Sequence, residues 1–353
     1  MARPFEIRMD TDHALLQIFI GITVLAYIAV VFNIIVFVVL CRKNLVSPAT
    51  ILMQGLAISD GLTAFSAYGL EPLFQMNYKS VNFLLQSTLL ELKYPLCGIY
   101  VHFRYISSDI QLVSLILTTC IGVQKCVALR FPIWTKLHLT NRKATGVCLM
   151  CFVISFAINL PRHFGLKFSD EKLKYFSSGC TVEAGPLIKY GLLEHVMTSI
   201  VIASILCLIM TVCTGYIVYK LKTNTFKGRQ TTKSKQERRS IIMVLLVLVI
   251  FLVSELPKMF TLSEMFQDTT FLLEESRENE LITLIMDERF RFSVYLHYVL
   301  GFDLNRALIL AECKNIFTML GCISNFVIYV STSQKLRNEL KLFFQCKKLK
   351  RRH

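Results

Sequence analysis

Seven long apolar stretches restrict the folds available to this sequence more than any other feature. Each is about 20 residues or longer, which is the length that a helix needs to cross the hydrocarbon core of a bilayer. They span residues 14–40, 50–71, 98–123, 145–165, 191–219, 241–263 and 309–331. The third is the most polar, and the seventh contains Glu312, Lys314 and Asn325. We therefore predict an all-α bundle of seven transmembrane helices, with six or eight as the alternative counts.

Composition supports a membrane protein. The chain is 54% hydrophobic with a mean hydropathy of +0.53, and 353 residues are too many for one ordinary soluble core. Residues 1–13 hold five charges and no apolar core, so they do not resemble a signal peptide. We expect the first helix itself to direct insertion.

The distribution of charge predicts the orientation. Of the 39 lysines and arginines, 23 lie with only two acids in four connecting segments, residues 41–49, 125–144, 220–240 and 332–353. Alternate connections are therefore basic, which is the positive-inside pattern. We predict an extracellular N-terminus (1–13), a transmembrane domain (14–331) and a cytoplasmic tail (332–353) in the plasma membrane. The net charge of +15 then needs no nucleic-acid partner.

The tail and the cysteines suggest two modifications. The tail sequence LRNELKLFFQCKKLKRRH alternates apolar and basic faces, as a short amphipathic helix on a membrane surface does. Cys346 within it is a candidate for palmitoylation, or an unmodified thiol in a solvated tail. Cys97 precedes the third helix and Cys180 follows the fourth, so both face the oxidising side and we expect them to form a disulfide. No cysteine spacing is typical of zinc sites.

Enzyme signatures are missing from the sequence. We find no GxxxxGK[ST], HExxH or GxSxG pattern. No internal repeat relates the two halves, which disfavours a transporter built from inverted repeats. A multi-pass transporter or an intramembrane enzyme stays a rival of a different class from a receptor.

Scattered motifs resemble those of rhodopsin-like G-protein-coupled receptors over nearly the whole chain. FNIIVFVVL resembles the family's Gly-Asn-x-x-Val, with Phe32 for glycine and Asn33 at the asparagine. LAISD matches Leu-Ala-x-x-Asp and ends at Asp60. NFVIY resembles Asn-Pro-x-x-Tyr with Phe326 for proline, and GVQKCVALRFP stands where Asp-Arg-Tyr is expected. The resemblance implies a plasma-membrane receptor that relays to heterotrimeric G proteins.

One subgroup is more similar than the rest. SELP in the sixth helix, NFVIY in the seventh and PRHF after the fourth look like the invertebrate myosuppressin, FMRFamide and sex-peptide receptors. This resemblance implies a short neuropeptide ligand. Related nematode-type chemoreceptors share the patterns, so a small-molecule chemosensory receptor is the alternative. A degenerate receptor that does not signal is a further one, given the altered QKC motif.

The resemblance also implies an activation core inside the bundle. A sodium ion would bind Asp60 with Ser114, and the alternative is a protonated or water-linked carboxyl without an ion. No other metal or cofactor is expected. The positions of this core are Asn33, Asp60, Ser114, Phe251, Pro257, Asn325 and Tyr329.

The stretch SELPK places two charges and a proline inside the sixth apolar run. A charge at bilayer depth costs about 2.5–3.5 kcal/mol on insertion scales. Pro257 matches the hinge proline of the family, and Glu255 lies at the floor of its ligand pocket. Glu255 either meets a cationic group of the ligand, pairs locally with Lys258, or is protonated inside the bundle.

Further polar residues cluster at the predicted outer ends of the helices. With Glu255 and Lys258 we take as candidates for ligand binding Arg104, Asp109, Gln111, Arg162, His195, Glu312 and Asn315, and His163 and Lys314 lie among them. The connection 264–308 has nine acids against four arginines. It is either an inert solvated helix or an electrostatic collar for a basic peptide.

The inner end of the third helix carries the candidates for G-protein coupling. Gln124 and Lys125 replace the first two residues of Asp-Arg-Tyr, and Glu237 is the one acid in the basic segment 220–240. A Lys125–Glu237 pair could replace the family's usual latch between the third and sixth helices. The alternative is that Glu237 pairs with a basic residue of its own helix.

Overall fold

The computed structural model contains a bundle of long helices. It describes residues 9–77, 94–164, 166–169, 181–184, 201–225, 241–242, 244–250, 252, 304–332 and 336–342. The helices are α1 (Met9–Leu40), α2 (Pro48–Ala64), α3 (Leu96–Arg130), α4 (Asn141–His163), α5 (Ala203–Thr225), α6 (residues 241–242, 244–250 and 252), α7 (Leu304–Thr332) and α8 (Leu336–Leu342). Shorter helical segments are Lys43–Leu45, Phe65–Gly69, Glu71–Asn77 and Pro132–His138.

Four of the described helices contain stretches long and apolar enough to span a membrane. These stretches are Gln17–Leu40, Leu96–Arg130, Asn141–Pro161 and Ala203–Lys220. A fifth arises if Asn315–Ser331 and Leu336–Leu342, which meet at 93°, count as one bent span. That bend separates α8 from α7, as expected for a short helix after the last span.

Several helices are longer than their apolar stretches. α1 begins at Met9 rather than at residue 14, and α7 begins at Leu304 rather than at 309. α3 extends past its predicted span at both ends. A search for apolar stretches detects only the part of a helix that lies in the hydrocarbon core. The backbone hydrogen bonds continue into the polar ends, so the helix itself is longer.

The second helix starts and ends through local interactions. Ser47 caps α2, because its hydroxyl accepts a hydrogen bond from the Thr50 amide while the Thr50 hydroxyl accepts one from the Ser47 amide. Pro48 occupies the first turn, where its missing N–H costs nothing. At Phe65 the helix continues as one π turn to Gly69. A Cβ at Gly69 would lie 2.5 Å from the Phe65 ring, so any larger residue would require that ring to move.

A two-stranded antiparallel sheet follows α4. Leu166–Ser169 pairs with Thr181–Ala184, with Leu166 opposite Ala184 and Ser169 opposite Thr181. We did not predict these strands, since four-residue segments are too short to show a clear alternation of apolar and polar residues.

α3 lies at the centre of the bundle and packs against α2, α4 and α5. α1 packs against both α2 and α7. The largest apolar core includes Leu56, Leu117, Met210 and Leu248, and so joins α2, α3, α5 and α6. A side chain at Gly55 would collide with the Cys148 sulfur, which shows how closely α2 and α4 approach.

The outward faces of the helices are apolar. Ile34 on α1 is 57% exposed, and Leu149 and Val153 on α4 are 62% and 61% exposed. Side chains of this kind are expected to face lipid tails in a membrane-spanning bundle. Polar side chains such as those of Asp60, Asp109 and Ser114 are instead buried inside the bundle.

Candidate functional site

A buried carboxylate joins three helices in the middle of the bundle. Asp60 on α2 is 2% exposed. Its Oδ1 accepts a hydrogen bond from the Ser114 hydroxyl of α3 at 2.9 Å, and its Oδ2 accepts one from the Asn325 amide of α7 at 2.6 Å. A polar group that is buried and fully paired in this way holds its helices in one arrangement. We call Asp60, Ser114 and Asn325, with Ser59, the polar centre.

Further oxygens lie close to this carboxylate. The Ser59 hydroxyl is 2.8 Å from Ser114 Oγ. Asp60 Oδ1 and the hydroxyls of Ser114 and Ser59 therefore form a group of oxygen ligands that suits a hard cation such as sodium. The other carboxylate oxygen is already paired with an amide N–H. The donor atoms on this side of the carboxylate are of the kind that sodium uses, and binding of the ion stays a prediction.

Two more residues of the predicted activation core lie on α1 and α7. Asn33 donates hydrogen bonds to the carbonyls of Ala29, at 2.9 Å, and of Cys322, at 3.1 Å. It thereby ties α1 to α7. Tyr329 is buried, and its hydroxyl has no hydrogen-bond partner among the described residues.

An arginine is enclosed by aromatic rings at the N-terminal end of α3. The Arg104 guanidinium lies 4.8 Å from the centre of the Tyr68 ring and 5.4 Å from that of Tyr100. Its Nη2 is 3.8 Å from Oε2 of Glu71, whose side chain is 4% exposed. We call Tyr68, Glu71, Tyr100 and Arg104 the arginine cage. Sequence reasoning found Arg104 but not Glu71, although this acid at the very end of an apolar stretch was a detectable signal.

A second cluster lies on the same part of α3, where His102, Tyr105 and Asp109 face His163 of α4. Asp109 is fully buried, and its Oδ2 is 2.7 Å from Nε2 of His163 on α4. The His163 ring stacks on that of His102 at 6.0 Å, and the Tyr105 ring meets both edge-on. We call these four residues the histidine cluster. The Asp109 carboxylate, a candidate ligand contact from its sequence position, is occupied by His163 in this structure.

The model of one protein family, 7 transmembrane receptor (rhodopsin family), matches residues 32–299. This covers well over half of the 353 residues. The chain belongs to the rhodopsin family of seven-transmembrane receptors. The predicted seven-helix receptor fold is thereby confirmed, and this rhodopsin-family receptor is a multi-pass protein of the plasma membrane rather than an enzyme.

Several predicted positions of this receptor lie outside what the structure describes. They are Cys180, His195, Glu237, Phe251, Glu255, Pro257, Lys258 and Cys346, and the side chains of Arg162, Glu312 and Lys314. Cys97 is disulfide-bonded, and its pairing with Cys180 stays a prediction. Gln111 on α3 and Asn315 on α7 are both half-buried, and neither belongs to the arginine cage or the histidine cluster as defined.

The end of the bundle at which α1 and α3 finish is held by contacts that sequence reasoning missed. Arg42, after α1, forms an ion pair with Glu339 of α8. On α3 the Cys126 thiol, at the position of the family's tyrosine, is 3.5 Å from the Cys213 carbonyl of α5. Gln124 and Lys125 precede it and are half-buried. The partner predicted for Lys125, Glu237, is among the residues that are not described.

Proposed function

We propose that this receptor binds a short neuropeptide of the FMRFamide or myosuppressin kind and relays its signal to heterotrimeric G proteins. The observation that carries the ligand class is the arginine cage beside the histidine cluster. Of these side chains, Arg104 and His163 are 21% and 18% exposed and can contact a ligand, whereas the acids and tyrosines around them are buried and hold them in place. A peptide brings complementary groups, since it combines backbone carbonyls with aromatic side chains.

The cage is preorganised for such contacts. Arg104 is held on two tyrosine faces and its side chain is still 21% exposed. An arginine fixed in this way loses little conformational entropy when it binds a ligand carbonyl. Glu71, 3.8 Å from the guanidinium, balances the charge of Arg104 in the free receptor.

Charge elsewhere in the sequence favours a basic peptide. The connection 264–308 carries nine acids against four arginines, and Glu255 lies in SELPK of the sixth apolar run. We assign Glu255 to a cationic group of the ligand and the acidic connection to long-range attraction of a basic peptide. A peptide amide that ends in Arg-Phe supplies both the cationic group for Glu255 and the basic charge for the acidic connection.

The signalling step that we propose is a shift in population. Ligand bound at the arginine cage favours the conformer in which α6 has moved outward, and the G protein binds that conformer. A sodium ion at Asp60 would oppose the shift, because it stabilises the arrangement in which α2, α3 and α7 share one carboxylate.

A library of amidated peptides applied to cells that express the receptor tests the ligand class, with GTP exchange as the readout. We expect peptides ending in Arg-Phe-amide to activate, and their citrulline analogues, which lack the charge, to be at least about tenfold weaker. Arg104→Met and Glu255→Gln should lower potency similarly, whereas Lys43→Met, at an exposed position between α1 and α2, should not. Activation by small odorant-like molecules alone would establish the chemosensory alternative. The absence of GTP exchange under every condition would indicate a receptor that does not signal.

A further inference from the structure

Two histidines share one buried carboxylate where α3 and α4 meet. The Asp109 carboxylate is fully buried and lies 2.7 Å from Nε2 of His163. The ring of His102 stacks on that of His163, with centroids 6.0 Å apart and planes inclined by 10°. Two imidazoles therefore lie beside a carboxylate that can neutralise only one of them. We propose that the histidine cluster is a proton-binding site through which the receptor responds to acid outside the cell.

The cluster lies near the end of α3 that we assign to the outside. Cys97 in the first turn of α3 is disulfide-bonded, which is typical of the oxidising side of a membrane. His102 follows about 7.5 Å further along the helix, at 1.5 Å per residue. His102 is half-buried, and the His163 side chain is 18% exposed. Protons from the outer solution can therefore reach both rings.

One proton on the pair gives a balanced site, and a second does not. Histidine is the side chain whose ordinary pKa, about 6.5, lies nearest to physiological pH. With one proton, the His163 imidazolium and the Asp109 carboxylate form an ion pair at 2.7 Å. A second proton on His102 places a like charge 6.0 Å away, in a partly buried site that salt screens weakly. Protonation of both rings therefore favours an arrangement in which they have moved apart.

The neighbouring elements bring balanced or uncharged groups to this end of α3. On the side of α2, Glu71 is 3.8 Å from Arg104 and balances that guanidinium. On α5, residues 203–219 include no acid, histidine, lysine or arginine. The Tyr105 ring meets both imidazoles edge-on and adds no charge. The described residues thus offer one carboxylate to the two imidazoles.

Two further residues at this end of the bundle lie outside the description. They are the side chain of Arg162 on α4 and His195 of the fifth apolar stretch. Arginine stays charged at every pH of interest, so Arg162 adds no dependence on pH. His195 titrates in the same range as the cluster and is therefore varied separately below.

Separation of the rings would loosen one end of the contact between α3 and α4. About two turns before His163, the Ser155 hydroxyl of α4 donates to the Asp109 carbonyl, and this contact does not titrate. The helices therefore stay joined there while the end of α4 gains freedom. Acid then raises the population of receptors with separated rings. This inference does not depend on the identity of the ligand.

The melting temperature of the purified receptor without ligand tests the proton-binding site. The stacked arrangement is stable while His102 is neutral, so stability is lost as the pH falls. Between about pH 7.5 and about pH 5.5, the wild type should lose at least about 3 °C more than His102→Phe, which keeps an aromatic ring but takes up no proton. His102→Gln should behave as His102→Phe does. His138→Gln, at an exposed position, should behave as the wild type does.

Basal GTP exchange in cells tests the response to acid, because the external pH can be lowered while the cytosol stays buffered. We expect exchange in the wild type to change by at least about twofold and in His102→Phe to stay constant. The proposal is overturned if the wild type and His102→Phe show the same pH dependence of the melting temperature. It is equally overturned if His195→Gln abolishes the response and His102→Phe keeps it. A melting temperature that responds while exchange does not would exclude acid sensing and leave only a structural proton site.

Discussion

The rings of Phe32 and Phe326 stack between α1 and α7, with centroids 4.3 Å apart and planes inclined by 21°. These are the two positions at which this chain replaces the glycine and the proline of its family's motifs. α7 runs from Leu304 to Thr332 and contains no proline, so no backbone hydrogen bond is lost at Phe326. The two replacements therefore form one coupled change, in which an aromatic pair joins the helices.

We predict that Phe32 and Phe326 are energetically coupled. Phe32→Ala and Phe326→Ala should each lower the melting temperature of the purified receptor, and the double variant should lose less than the sum. An aromatic pair contributes about 0.5–1.5 kcal/mol beyond the area that it buries. Phe317→Ala on the same helix, 51% exposed, is the control and should have little effect. Strictly additive losses would show that the stack contributes nothing of its own.

The pair formed by Asp109 and His163 should stabilise the receptor mainly by neutralising a buried charge. His163→Ala removes the group that pairs with Oδ2 of the fully buried Asp109, and breaking a buried pair of this kind typically costs about 3–5 kcal/mol. Adding Asp109→Asn removes the charge, so the double variant should regain part of the stability and of the surface expression. His138→Ala, at an exposed position, is the control. Equal stability of His163→Ala and His138→Ala would mean that the pair has no structural role.

Sodium should suppress ligand-free GTP exchange through Asp60. In the wild type, replacing sodium by an organic cation is expected to raise basal exchange. Asp60→Asn keeps the shape of the side chain but removes its charge, so that variant should no longer respond to sodium, and Ser114→Ala should respond less. Ser66→Ala is the control, because the Ser66 hydroxyl donates to a carbonyl of its own helix. A wild type that is insensitive to sodium would favour a protonated or water-linked Asp60.

The proposed latch between Lys125 and Glu237 makes a modest prediction. A half-exposed ion pair contributes about 0.2–1 kcal/mol, which corresponds to roughly a 1.4- to fivefold change in the active fraction. Glu237→Gln should therefore raise basal GTP exchange by about that factor, and Lys125→Arg should lower it or leave it unchanged. Unaltered basal exchange in Glu237→Gln, at equal surface expression, would exclude the latch.

Local signals in the sequence predicted the features that the bilayer itself constrains. The apolar stretches located α1, α3, α4 and α5. They did not predict the polar extensions at the start of α1 and at the ends of α3 and α5. Motif positions identified Asp60, Ser114 and Asn325 as one group, and the structure brings these three side chains into contact. The π turn at Phe65 had no apolar signature, since it arises from a shift of backbone hydrogen bonds within a continuous helix.

The sequence by itself determined that this chain enters a membrane as a helical bundle, because the cost of burying charged or unpaired polar groups in hydrocarbon dictates the length and composition of a span. It could not determine which side chains meet. Glu71 with Arg104, Asp109 with His163, Phe32 with Phe326 and Arg42 with Glu339 are between 33 and 297 residues apart in sequence. Only the packing of the helices decided these pairs, because the rotation of each helix about its axis depends on the shapes of its neighbours.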